Sequence, residues 1–138
     1  MICNLPYVRP QENGNKTDVR WAAITNENGS GLLFVGEPLL EISAHHNIME
    51  DFESIYKPSE RLEGNKIPPQ RHINDVKPRD LTSVNLNYKQ MGVGGDNSWG
   101  AWTHEQYRLT GKSYTYSFRM KALKSGDDPL KLAKQAIQ

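Results

Sequence analysis

Hydrophobic and polar positions along this chain alternate mostly with a period of two, the pattern of strands that bury one face. "VRWAAIT", residues 19–25, and "LLFV", residues 32–35, flank "NENGSG" and predict a hairpin whose loop is longer than a tight two-residue turn. "PLLEIS", residues 38–43, predicts another strand. In "LTSVNLNYKQM" the side chains of Val84, Leu86 and Tyr88 alternate with Asn85, Asn87 and Lys89, as in a half-buried strand. The clearest alternation lies in "SYTYSFRMKAL", where Tyr114, Tyr116, Phe118 and Met120 are set between polar or small neighbours. Helical spacing is confined to two places. Ile48, Phe52 and Ile55, followed by Pro58, predict one or two helical turns, and Asp128 before Pro129 predicts the capped start of a short terminal helix. Residues 57–79 carry four prolines and much charge, and read as an irregular connection. The expected body is mainly β and, by its short connections, antiparallel.

Composition narrows the function classes. A chain of 138 residues suits a single domain over 1–138 with one modest core, burying roughly two-thirds of the surface of the unfolded chain. Seventeen Lys and Arg against sixteen Asp and Glu leave a formal charge of +1, so neither nucleic acid nor an anionic membrane is an expected partner. No apolar run approaches the roughly 20 residues of a membrane span. The opening Met-Ile-Cys-Asn-Leu-Pro lacks the basic start and apolar stretch of a signal peptide, which leaves cytoplasm and periplasm both open. The single Cys3 excludes an internal disulfide framework and cannot build a zinc site by itself.

Several residues invite a chemical reading. "GVGG" suggests a phosphate loop, but that motif needs a strand before it and a helix start after it, and a tryptophan-containing turn follows instead. His45 and His46 are adjacent, point in different directions on any regular element, and read as surface or capping residues. Glu50, Asp51 and Glu53 form an acidic cluster without a partner base, which reads as a solvated helix face. Asp96, Asn97, Trp99 and Trp102 on a loop framed by Gly92, Gly94 and Gly95 are more suggestive. Sugars are held by aromatic faces against their C–H groups and by carboxylate or amide hydrogen bonds. On composition alone, a tryptophan that plugs a local hole is the stronger reading.

The run "MGVGGDNSWG", preceded by "VNLNYKQ" and "RHINDV", closely resembles the C-terminal part of the large β-galactosidases of glycoside hydrolase family two. "RPQENGNKTDVRW" resembles the Pro-x-Glu-Asn-Gly motif of the same family, at the expected distance upstream. The likeness runs from about residue 7 to residue 123, is weakest in the Pro-rich middle, and leaves 124–138 as a short helical tail. It implies an antiparallel β-supersandwich of the galactose-mutarotase-like type, with one or two short helices, cut from a longer multidomain enzyme. It also implies that Trp99 packs beside the aglycone half of a β-galactoside such as lactose. Gly94 and Gly95 would then let the backbone turn, and Asp96 and Asn97 would fix the loop through backbone hydrogen bonds. Trp102 matches no functional position and reads as core or loop packing, and Trp21 as core. The catalytic carboxylates of a retaining glycosidase, about 5 Å apart, would come from a TIM barrel absent here, with its magnesium and sodium ligands. No catalytic residue, metal ligand or cofactor is therefore expected in this chain, and by itself it is expected to be inactive. The expected partners are the remaining domains in cis or trans, with a homo-oligomer possible for the complete enzyme. A free-standing carbohydrate-binding module and an unrelated β-sandwich interaction module are the alternatives.

Overall fold

The computed structural model describes residues 13–52, 76–92 and 100–135. Four strands make one sheet: β1 Lys16–Thr25, β2 Gly31–His45, β3 Ser83–Asn87 and β4 Ser117–Leu123. β2 is the central strand, paired with β1, β3 and β4, and its ladders with β1 and β4 are antiparallel. Among the described residues, one α-helix, α1 Pro129–Ala133, and 3-10 turns at Met49–Asp51 and Glu105–Tyr107 accompany the sheet. The mainly β, antiparallel expectation holds. Among the described residues no helix is long and apolar enough to cross a membrane.

The chain divides into two compact units, one of residues 16–42 and 86–138, the other of residues 1–15 and 43–85. In the first, the β1–β2 hairpin closes as its composition predicts. The Asn26 side chain accepts hydrogen bonds from the backbone N–H of Asn28 and of Ser30, both 3.0 Å, while Gly29 takes φ +81°. The two strands predicted over 32–35 and 38–43 are a single strand, and bulges explain why they read as two. Trp21 pairs with Val35 and Val19 with Leu40, so Arg20 alone faces the four residues from Gly36 to Leu39. Pro38, which has no N–H to give a ladder, sits within this bulge. A Cβ at Gly36 would lie 2.6 Å from the carbonyl carbon of Leu39, so only glycine fits beneath the folded-over backbone. A second, smaller bulge follows, because Lys16 pairs with Ile42 and Val19 with Leu40, setting Thr17 and Asp18 against Glu41 alone.

Pairing also assigns the faces. Leu33 and Val35 share one face with Ala23 and Leu123, and this face forms a core cluster with Ala133 and Leu132 of α1. The helix begins as the sequence predicts: the Asp128 carboxylate accepts from the N–H groups of Leu130 and Lys131, with Pro129 at the first helical position. Its carbonyl end is held by Arg119 of β4, which donates to Ala133 O and Gln135 O and pairs with Glu37 at 2.8 Å. The opposite face carries Leu32, Phe118 and Met120, exposed by 41, 38 and 63%. The alternation in 113–123 is therefore real, but its apolar side is the more exposed one, and β4 spans only Ser117–Leu123. Tyr114 and Tyr116 precede the strand and pack with Tyr88, ring centroids 5.6 and 5.9 Å away.

In the other unit, His45 is buried, donating from Nε2 to Asn13 O at 2.7 Å and meeting the Phe52 ring edge-on. His46 points elsewhere and donates from Nδ1 to Leu81 O at 2.7 Å. The two do diverge, but His45 is a buried cross-link rather than a surface residue. Asp51 is no solvated carboxylate either. Arg79 holds it from two nitrogens at 2.7 and 2.6 Å, and it also caps the Ile48 N–H. Those Arg79 bonds lower its pKa from 3.8 to about 2, against the opposing effect of partial desolvation, with the Ile48 N–H adding to the lowering. The helix expected around Ile48 to Ile55 is a 3-10 turn at Met49–Asp51 as far as it is described. Glu53, Ile55 and most of the Pro-rich connection lie outside the described residues.

Candidate functional site

The residues singled out from the sequence, Gly94, Gly95, Asp96, Asn97 and Trp99, lie outside the described residues, but both ends of their stretch are described. At the entry, the Gly92 N–H donates to Tyr107 O at 2.7 Å. A Cβ on Gly92 would lie 2.8 Å from the Tyr107 Cβ, so the absence of a side chain lets this backbone close on the 3-10 turn at Glu105–Tyr107. At the exit, Gly100 takes φ +102°, a conformation that favours glycine. Two conformationally demanding positions thus bracket the stretch that carries Trp99.

Beyond the exit, Trp102 is 70% exposed, with the Arg108 guanidinium carbon 5.3 Å from its ring centre. Arg108 is itself tied by its Nε to Thr103 O. The core reading of Trp102 fails: the residue is largely exposed, with the guanidinium close to its indole. Trp21 also differs from its expectation, since at 36% exposure it lies at the margin of the core, not inside it.

A cleft of about 440 Å³ adjoins the Gly92 stem. Its described lining comes from scattered parts of the chain. The small bulge contributes Thr17, Asp18 and Glu41, the stretch after β3 contributes Tyr88, Lys89, Gln90 and Gly92, and the 3-10 turn with its continuation contributes Gln106, Tyr107, Arg108 and Leu109. Tyr114 closes the lining. The Glu41 carboxylate accepts from the Gln90 N–H at 2.9 Å, which ties the second segment to the strand. Asp18 holds φ +54°, the one described non-glycine residue with positive φ, and this places the bulge's departure from the ladder at the cleft wall. Lys89 lies 5.7 Å from the Tyr88 ring centre. Sequence reading missed this assembly, because its members are scattered between Thr17 and Tyr114 and only the bulge register brings Asp18 and Glu41 together. The one local signal was an Asp interrupting a strand-forming run. Among the described residues, no three His, Cys, Asp or Glu side chains converge as a metal site would require.

Comparison with known proteins completes the picture. The family described as β-galactosidase small chain matches residues 3–120. A β-galactosidase of Priestia megaterium is 45% identical over 119 residues, covering 86% of this chain and 10% of that protein. A β-galactosidase of Streptococcus thermophilus is 32% identical over 120 residues, again 86% of this chain and 10% of that protein. The β-galactosidase BgaC of Bifidobacterium adolescentis is 35% identical over 109 residues, 75% of this chain and 9% of that protein. The chain thus spans about a tenth of the length of the curated relatives it matches.

Proposed function

Since this chain belongs to the β-galactosidase small chain family, we propose that it acts as the C-terminal portion of a retaining β-galactosidase of glycoside hydrolase family two, hydrolysing terminal β-galactosides such as lactose. The observation that carries this reading is the pairing of high coverage of the chain with low coverage of its relatives, 86% against 10%. In this reading Trp99 stacks on the aglycone half of the substrate. Gly94 and Gly95 turn the loop, and Asp96 and Asn97 brace it. The acid/base and nucleophilic carboxylates, and the magnesium and sodium ligands, belong to a barrel domain outside this chain. The face of Leu32, Phe118 and Met120 gives independent support. A contiguous apolar patch of this kind marks an interaction surface, as expected for part of a supersandwich whose other layer comes from the rest of the enzyme.

The test is Trp99→Ala in the complete enzyme. Loss of a contact made equally in ground and transition states raises KM and spares kcat, provided chemistry is slower than substrate release. A higher KM for lactose with unchanged thermal stability supports the platform. Unchanged KM with a loss of about 3 to 5 kcal/mol in stability, the cost of emptying a buried tryptophan site, makes Trp99 structural instead. Hydrolysis of an aryl β-galactoside by the purified chain alone would overturn the assignment of the catalytic carboxylates to another domain, and micromolar affinity for lactose would favour a free-standing binding module.

A further inference from the structure

We propose that the cleft between the Asp18 bulge, the Tyr88–Gly92 segment and the turn at Tyr107 is a binding site for a neutral, hydroxyl-rich ligand, a single sugar or the end of an oligosaccharide. The described residues that line it are other than Trp99, and so the proposal goes beyond the Trp99 reading. The volume, about 440 Å³, falls within the range of small-molecule sites. Its chemistry is mixed in the way sugars require. Tyr88 and Tyr107, 37 and 57% exposed, offer aromatic surface for C–H faces. Around them stand hydroxyl, amide, carboxylate and guanidinium groups, which suit a ligand whose every hydroxyl both donates and accepts.

The charges select the ligand class. Among the described lining residues Asp18 and Glu41 stand with Lys89 and Arg108, two against two, so these side chains together favour neither an anion nor a cation. A phosphate site would concentrate the cations, and an amine site the carboxylates. The backbone points the same way. Asp18 holds a left-handed conformation within a two-against-one bulge, and bulges of this kind re-aim side chains beside binding sites. Tyr107 suits a role in binding because the fold uses its backbone and Cβ, through Gly92, while the ring stands largely exposed.

The experiment is an NMR titration of the full 138-residue chain, labelled with nitrogen-15, using galactose and, in parallel, galacturonate and galactosamine. Galactose should shift the amides of Lys89, Gln90 and Arg108 and saturate with a Kd in the millimolar range. The two charged sugars should bind no more tightly. Tyr107→Ala keeps the Cβ that meets Gly92, so the spectrum should stay native while affinity falls roughly fivefold, which is about 1 kcal/mol. Trp99→Ala should leave the Kd within about twofold, a change below 0.5 kcal/mol. Shifts that fail to saturate at about 100 mM, well above a millimolar Kd, overturn the proposal. So does a charged sugar bound about tenfold more tightly than galactose, a difference of 1.4 kcal/mol. A native Tyr107→Ala chain with unchanged affinity, or loss of the titration in Trp99→Ala, overturns it as well. The Trp99 reading fails on a separate measurement, the KM of the complete enzyme, so the two failures are distinguishable.

Discussion

The two faces of the β1–β2–β4 sheet are both apolar, yet they have opposite fates. On one, Leu33, Val35 and Leu123 retain 1, 8 and 4% exposure beneath α1. On the other, Phe34 is buried at 4%, but Leu32, Phe118 and Met120 around it stay 38 to 63% exposed. Adjacent residues of one strand are thus core and surface according to the layer that lies above them. The covered face even includes a charged residue, Arg119, because its guanidinium satisfies carbonyls at the end of α1 and pairs with Glu37. Burial here follows what the chain supplies as a lid, which on the first face is the five-residue α1.

The sharpest way to break this comparison is to remove a buried side chain from the covered face. Leu33→Ala should cost about 2 to 5 kcal/mol in urea or thermal unfolding, since it loses both transfer energy and packing. A cost under about 1 kcal/mol would mean that this face is not the core. Loosening the lid should have a smaller effect: Asp128→Ala removes the acceptor for two helix N–H groups and should cost about 1 kcal/mol. On the more exposed face, Met120→Ser should change the stability of the isolated chain by no more than about 0.5 kcal/mol, while lowering light scattering from association between copies. Trp102→Ala, at an exposed ring, should be equally mild. A large loss from Met120→Ser would show that the second face is packed in solution.

Acid tests an ion pair in the other unit. Asp51 has its pKa lowered from 3.8 to about 2 by Arg79, so its contribution to stability is fully present above about pH 4 and is lost as pH falls through about 2. Arg79→Met should remove that acid-dependent component, followed by fluorescence or circular dichroism. An unchanged acid profile would exclude the ion pair as its source.

Much of the fold was legible in the sequence because its causes are local. The hairpin loop around Asn26 and Gly29 and the Asp128–Pro129 helix start depend on residues a few positions apart, and alternation at Val84–Tyr88 marked β3. The motif around Trp99 also stood out in the chain and pointed to a β-galactosidase, and the family that matches residues 3–120 is described as β-galactosidase small chain. What the sequence could not determine was decided by pairing and by coverage. The joining of residues 31–45 into one strand depends on a bulge at Gly36–Leu39 that only the register with β1 reveals. The burial of His45 depends on Asn13, thirty-two positions away, and the placement of Trp102 depends on Arg108 beside its largely exposed ring. The cleft needs a bulge to set Asp18 against Glu41 and a glycine at position 92 to let Tyr107 approach. Alternation along a strand specifies that two faces differ, but which face meets a second layer is a property of distant segments, and tertiary structure alone decides it.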